Sequence, residues 1–167
     1  KAGITGASVG ISMPGAVSPA TGLIKNANST WLIGRPFEAD IARKLGRPVR
    51  VENDANCLAV SEATDGAGAG AHLVWAVILG TGVGSGIALD GRALSGRDRL
   101  AGASGHNPLP PPPHDERPGP ACYSGRSVCT QAWLSRPAPA AHHPLHAQPS
   151  PPGVAIAAPP PPVGPSA

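Results

Sequence analysis

Two stretches of this sequence hold the groups needed to move a phosphoryl group onto a hydroxyl. The first is Glu52-Asn53-Asp54-Ala55-Asn56. An apolar run, Pro48 to Val51, stops at the Asn-Asp pair, and a helix-like stretch from Ala55 to Ala63 follows. This order places the Asp54 carboxylate at the C-terminal end of a strand, the edge where open α/β sheets bind ligands. The second is Ile78-Leu79-Gly80-Thr81-Gly82-Val83-Gly84-Ser85-Gly86, a strand running into a glycine-rich turn. Glycines let the backbone approach an anion and aim its N–H groups at it, and Thr81 adds a hydroxyl donor. In that pairing Asp54 is a general base that takes the hydroxyl proton as the phosphoryl group arrives. Asn53 hydrogen-bonds a neighbouring hydroxyl. Each feature also has a plainer reading. Asp54 can be a helix N-cap, and the glycine run can be a hairpin turn. The run is not a P-loop, because no Gly-Lys-Ser/Thr follows it. It also misses the dinucleotide spacing, which requires glycine where Ser85 stands.

A third group comprises His106, Cys122, Ser124 and Cys129. Imidazole and thiolate are natural zinc ligands, and a structural zinc takes four. Three are present, and Ser124 stands two residues after Cys122. The alternative is two ordinary cysteines and a surface histidine.

The elements that must position these groups alternate between strand and helix. Ser8 to Met13 reads as a strand ending at Pro14-Gly15. Thr21 to Asn26 reads as a turn and short strand. Pro36 to Leu45 reads as a helix, with Pro at its first turn, Phe37, Ile41 and Leu45 on one side, and Gly46 as the stop. Pro48 to Val51 is a buried strand, with Asp54 capping the next helix and Leu58 and Ala59 on its inner face. Gly66 to Ala71 is a break of small residues. His72 to Leu79 is apolar nearly throughout, as in a strand covered on both faces. Ile87 to Leu94 reads as a hairpin about Asp90-Gly91. The order implies an α/β fold: residues 1–70 as a partial N-terminal domain, 71–134 as the start of a second, and 135–167 as a low-complexity tail.

Composition bounds the function classes. Of the 22 prolines, 18 follow His106, so the last third, rich in Pro and Ala, lacks the means to bury a core and reads as disordered. Aromatic residues are 3% of the chain, which leaves the core to Val, Ile, Leu and Ala. The formal charge of +3 comes from scattered arginines with no basic stripe, which argues against nucleic-acid binding. No apolar run reaches the roughly 18 residues of a membrane span. Three cysteines, an odd number, fit a reducing cytoplasm rather than a disulfide framework. The opening Lys1-Ala2-Gly3-Ile4 carries no signal peptide and reads as a start inside a domain.

Taken together, the chain resembles the ROK sugar kinases, nearest to bacterial fructokinase-like members. The runs that carry the resemblance are Gly10 to Gly15, Lys25 to Leu32, Glu52 to Cys57, Leu79 to Gly86 and Gly105-His106-Asn107-Pro108-Leu109, spanning about residues 8–134. The resemblance implies an actin-like ATPase (ribonuclease H-like) fold of two α/β domains about a cleft. It implies ATP-dependent phosphorylation of a hexose, D-fructose first, giving fructose 6-phosphate, with Mg²⁺ beside the ATP. Asp54 matches the catalytic base, and Asn53, Asp54 and His106 match sugar-contacting positions. Gly80, Thr81, Gly82 and Gly84 match the phosphate motif. His106, Cys122 and Cys129 match ligands of a structural Zn²⁺. Family members are often homodimers, with hexose and ATP as their small-molecule partners.

The departures are specific. Gly102-Ala103-Ser104-Gly105-His106 has Ala103 where the family has a sugar-binding Glu. Ser124 replaces a zinc-binding Cys, and Gln131 replaces a second Glu. Part of the family's sequence, including its first phosphate loop and adenine pocket, has no counterpart here. These changes imply weak activity or none, in a truncated chain with an aberrant Pro-rich end. A sugar-responsive ROK repressor fragment and a non-catalytic remnant are the alternatives.

Overall fold

The computed structural model describes residues 6–110 and 119–138. The opening residues, most of the Pro110–Arg117 stretch and nearly all of the Pro/Ala-rich tail lie outside the described residues.

A parallel strand pair opens the fold. Strand β1 (Val9–Met13) pairs in register with β4 (Val49–Asn53), so Val9 faces Val49 and Met13 faces Asn53. The ladder carries β4 two residues past the expected end at Val51, up to the Asn-Asp pair itself. Two short antiparallel strands, β2 (Ala16–Val17) and β3 (Ile24–Lys25), follow the Pro14-Gly15 turn. Helix α1 (Phe37–Leu45) starts after Pro36 and stops at Gly46, whose φ of 62° is the left-handed conformation that ends helices. Met13, Val17, Ile24, Val49 and Val51 form the first core, with Phe37 and Ile41 packed on it. Leu45, expected on the same side, is 52% exposed. It is the last residue of the helix.

Helix α2 (Asp54–Thr64) leaves β4 directly and forms the second core. Its Ala59 and Ala63 pack on Ala76 of β5 (Leu73–Leu79) and Ala88 of β6 (Val83–Leu89), with Leu58, Val60 and Val74 around them. Alanines on both sides let helix and sheet approach closely. The sheet is an antiparallel meander of β5, β6 and β7 (Arg92–Ala93). Asp90 and Gly91 both take positive φ, 50° and 72°, as the tight hairpin between β6 and β7 requires.

Two expectations need correction. The β5 run is apolar throughout, but among the described residues it is covered on one face only. Leu73, Trp75 and Leu79 are each more than half exposed, and Val77 is 40% exposed. Val74, Ala76 and Ile78 alternate with them toward α2. A continuous apolar run does not reveal which of its faces has a neighbour. The glycine-rich segment is also shorter as a turn than its sequence suggests. Val83 to Gly86 belong to β6, which leaves Gly80-Thr81-Gly82 as the turn of the β5–β6 hairpin.

After β7 the chain folds back over β6. The Ser85 hydroxyl donates to the Gly102 carbonyl and hydrogen-bonds the Ser104 hydroxyl. A Cβ at Gly105 would overlap the Val83 carbonyl, so only glycine fits there. Helix α3 (Thr130–Leu134) closes the described chain, with Gln131 buried. Among the described residues no helix is long and apolar enough to cross a membrane.

Candidate functional site

The strand-to-helix corner is built on Asn53. Its backbone is extended (φ −61°, ψ 141°), and its side-chain oxygen accepts from the N–H groups of Ala55 and Asn56 at 3.0 and 3.3 Å. Asn53 is therefore the N-cap, in place of the expected Asp54. Its amide nitrogen donates to the Gly15 carbonyl at 3.0 Å, tying the corner to the Pro14-Gly15 turn. One N–H of that amide remains available to a ligand. Asp54 becomes the first helical residue, and its carboxylate is exposed. One of its oxygens accepts from the Ala55 N–H at 2.9 Å. A carboxylate in the first turn of a helix is electrostatically favoured. Because Asn53 does the capping, Asp54 keeps an oxygen free for chemistry.

Glu52 braces the same corner. One oxygen accepts from the Asn53 N–H at 2.9 Å and from the Asn56 amide at 3.0 Å. The other accepts from the Ser95 hydroxyl at 3.3 Å. Sequence reasoning missed this role. The signal was a carboxylate on the half-buried face of β4, four residues before a buried Asn.

The glycine strand lies against this corner. A Cβ at Gly86 would overlap the Ala55 carbonyl and the Asn56 nitrogen, and one at Gly84 would lie 3.8 Å from the Ala55 Cβ. The glycines of β6 thus serve first to seat the N-terminus of α2. At the hairpin turn, Gly80 donates to the Gly82 carbonyl at 2.9 Å. The N–H groups of Thr81 and Gly82 have no acceptor among the described residues. Two adjacent free N–H groups beside the Thr81 hydroxyl are a donor set suited to a phosphate oxygen.

His106, Cys122 and Cys129 come together, as the family resemblance implied. Their ligand atoms lie within 4.8 Å of one another. Cys122 Sγ is 3.6 Å from His106 Nδ1, and Ser124 Oγ is 3.5 Å from Cys129 Sγ. A tetrahedral zinc with ordinary bond lengths separates S from N, and S from O, by about 3.6 Å. Two zinc-bound thiolates stand about 3.8 Å apart, so no pair need close by more than about 1.2 Å. The three donors therefore suit zinc in type and spacing, and the Ser124 hydroxyl lies beside Cys129. Burial pushes the Cys122 thiol up, but hydrogen bonds from the Ser124 side chain and backbone, Cys129 and Gln131 outweigh it. The net direction is below the ordinary 9.0, toward the thiolate a metal needs. His106 Nε2 lies 3.2 Å from the Tyr123 hydroxyl, and the two rings meet edge to face.

Gln131 joins this cluster to the glycine strand. Its amide nitrogen donates to Cys122 Sγ at 3.6 Å, and its oxygen accepts from the Val83 N–H at 3.3 Å. Ala103 is exposed and carries no polar group.

Comparison with known proteins places these features in context. The sequence profile of the ROK family matches residues 2–144. The chain is 40% identical over 131 residues to the N-acetyl-D-glucosamine kinase of Vibrio cholerae serotype O1, a match covering 76% of this chain and 43% of that relative. The chain thus spans less than half the length of the curated relative. Among solved structures it resembles the ROK hexokinase from Thermus thermophilus, with a TM-score of 0.65 and 32% identity over 81% of this chain and 42% of that one. It also resembles a ROK family glucokinase from Streptomyces griseus in complex with glucose and AMPPNP. There the TM-score is 0.64 and the identity 31%, over 78% of this chain and 40% of that one.

Proposed function

Because the chain belongs to the ROK family and holds part of that family's actin-like ATPase fold, we propose that it is a portion of an ATP-dependent hexose kinase with Asp54 as its general base. The observation that carries this reading is the division of labour at the corner. Asn53 caps α2, so the exposed Asp54 carboxylate is left at the C-terminal end of β4 with an oxygen to accept a proton. Asp54 would take the proton of the sugar hydroxyl under attack and hold it as the new ester bond forms. Asn53 would offer its remaining N–H to a second hydroxyl. Thr81 and Gly82, with Gly80 and Gly84 keeping the backbone open, would hold phosphate oxygens. ATP and Mg²⁺, when bound, supply the phosphoryl group and neutralise its charge.

The relatives direct the choice of sugar. The curated relative described above acts on N-acetyl-D-glucosamine, and one solved relative holds glucose. D-fructose, the sugar expected from sequence, has no support among them. N-acetyl-D-glucosamine is therefore the first candidate. Two altered positions predict slow turnover. Ala103 offers no hydrogen bond to a sugar. Gln131 turns its amide to Cys122 and Val83. His106 engages Tyr123 through Nε2, so a sugar contact from that atom requires Tyr123 to move aside. Zinc would be held by His106, Cys122 and Cys129 with Ser124 as a weak fourth ligand. The same proposal takes residues 1–70 and 71–134 as portions of two domains and the whole protein as a cytoplasmic homodimer. A coupled ATP assay with N-acetyl-D-glucosamine, D-glucose, D-mannose and D-fructose tests it. The proposal expects the highest kcat/KM with N-acetyl-D-glucosamine. A preference for D-fructose would overturn the substrate choice, and identical background rates with all four sugars would overturn the kinase reading.

A further inference from the structure

Beside the Asp54 corner lies a concavity whose arginines have no part in the proposed phosphoryl transfer. It is a cleft of about 480 Å³ bounded by Arg50 of β4, Glu38 of α1, Glu52, and the turn that carries Ser95, Arg97 and Arg99. Its volume falls in the range of small-molecule sites. Three arginines from two separate segments line it.

The charged groups of this cleft are unequally engaged. Both carboxylates are committed to the fold: Glu38 accepts from the Val51 N–H at 3.0 Å, and Glu52 holds Asn53, Asn56 and Ser95. The three arginines have neither an ion pair nor a side-chain hydrogen bond among the described residues, where Asp40–Arg43 and His72–Asp90 are the ion pairs formed. Asp98, between Arg97 and Arg99, does not line the cleft. Arginines without an internal partner that line one concavity suit a phosphate, whose oxygens guanidinium groups bind through paired, charge-assisted hydrogen bonds.

The turn is also built for this presentation. Arg99 holds φ at 55°, a conformation that a residue with a side chain seldom adopts. The Arg99 N–H donates to the Gly96 carbonyl at 3.3 Å, and the Ala101 N–H to the Ser95 carbonyl at 3.1 Å. A Cβ at Gly96 would stand 2.8 Å from the Ala101 Cβ, too close to be tolerated.

We propose that this cleft is a binding site for a phosphate group, carried by a phosphorylated sugar or present as the free ion, with Arg50, Arg97 and Arg99 as its cationic wall. The site is separate from the Gly80–Gly82 turn and does not depend on the kinase assignment. Through Glu52 its wall is hydrogen-bonded to the first turn of α2, so occupancy is felt next to Asp54.

Calorimetric titration of the full 167-residue chain at low ionic strength tests this, with inorganic phosphate in one arm and D-glucose 6-phosphate in the other. Saturable binding at one site per chain is expected. Tighter binding of the sugar phosphate identifies a phosphorylated sugar as the ligand, and equal affinity identifies the phosphate group alone; either result supports the site. The critical variant is Arg99→Gly. It removes the guanidinium while relaxing the left-handed backbone, so lost binding cannot be attributed to misfolding. It should weaken phosphate about tenfold or more, and Arg50→Ala should do the same, whereas Arg35→Ala, outside the cleft, should leave affinity unchanged. Absence of saturable binding in both arms overturns the proposal. So does undiminished affinity in Arg99→Gly, or equal loss in Arg35→Ala.

Discussion

Replacing Ser124 by Cys is the sharpest perturbation of the metal cluster. Ser124 Oγ already lies 3.5 Å from Cys129 Sγ, close to the about 3.6 Å between two ligand atoms on one tetrahedral zinc. The substitution therefore exchanges a poor donor for a thiolate without moving the backbone. Structural zinc sites release about 10–16 kcal/mol on binding. Shared over four ligands, each contributes about 3 kcal/mol, or about 100-fold in affinity. The assay is competition against a chromophoric zinc chelator at fixed pH. Ser124→Cys should bind zinc about 100-fold more tightly than the parent chain, and zinc at 100 times the dissociation constant should add about 2.7 kcal/mol to its stability. Cys122→Ser should abolish tight binding in either background. An affinity unchanged by Ser124→Cys would refute the four-cornered site, as would a parent chain that already holds zinc as tightly as the variant.

Three further outcomes follow from the packing. Gly86→Ala puts a methyl into the Ala55 carbonyl and Asn56 nitrogen and should cost about 1–3 kcal/mol in a urea unfolding titration; a change within error would mean that α2 does not seat on β6 as described. Asn53→Ala removes the cap of α2 and should cost about 1 kcal/mol or more, whereas Asn53→Asp, which keeps the capping oxygen but loses the donor to Gly15, should cost less in the same titration. Trp75→Lys combined with Leu79→Lys, on the uncovered face of β5, should leave stability within about 0.5 kcal/mol and reduce light scattering at high concentration. A large destabilisation would show that this face is covered.

How much of this was legible beforehand differs by residue. The β4–α2 corner was readable because Val49 and Val51 alternate inward and an Asn-Asp pair then stops the strand. Which of the pair caps the helix was not readable, since both residue types cap well. The choice rests on the Gly15 carbonyl, 38 residues away in sequence, which takes the Asn53 amide. Ligand chemistry alone left His106, Cys122 and Cys129 open between a metal group and ordinary residues; the family resemblance singled them out, and the fold brings their ligand atoms within 4.8 Å of one another. The one-sided cover of β5 was not, since alternation is invisible when both faces are apolar. Gln131 read only as a missing carboxylate. Its role as a link between Cys122 and Val83 depends on the chain folding back over β6, a contact spanning 48 residues. The arginine cleft was hidden for a similar reason: Arg50, Arg97 and Arg99 look scattered along the chain and converge only when the turn after β7 packs beside β4.

The central claim is that Asp54 takes a proton from a sugar hydroxyl. Its most direct test is phosphoryl transfer from ATP to N-acetyl-D-glucosamine in an Ala103→Glu background, with and without Asp54→Asn. Restoring the carboxylate at residue 103 supplies a charge-assisted hydrogen bond of about 1.5–3 kcal/mol, about 10- to 150-fold in kcat/KM. The account predicts measurable transfer in that background, still below the roughly 1–100 per second of ordinary kinases. It also predicts a loss of at least about 100-fold on Asp54→Asn. Transfer that survives Asp54→Asn unchanged, or no transfer in either background, would contradict it.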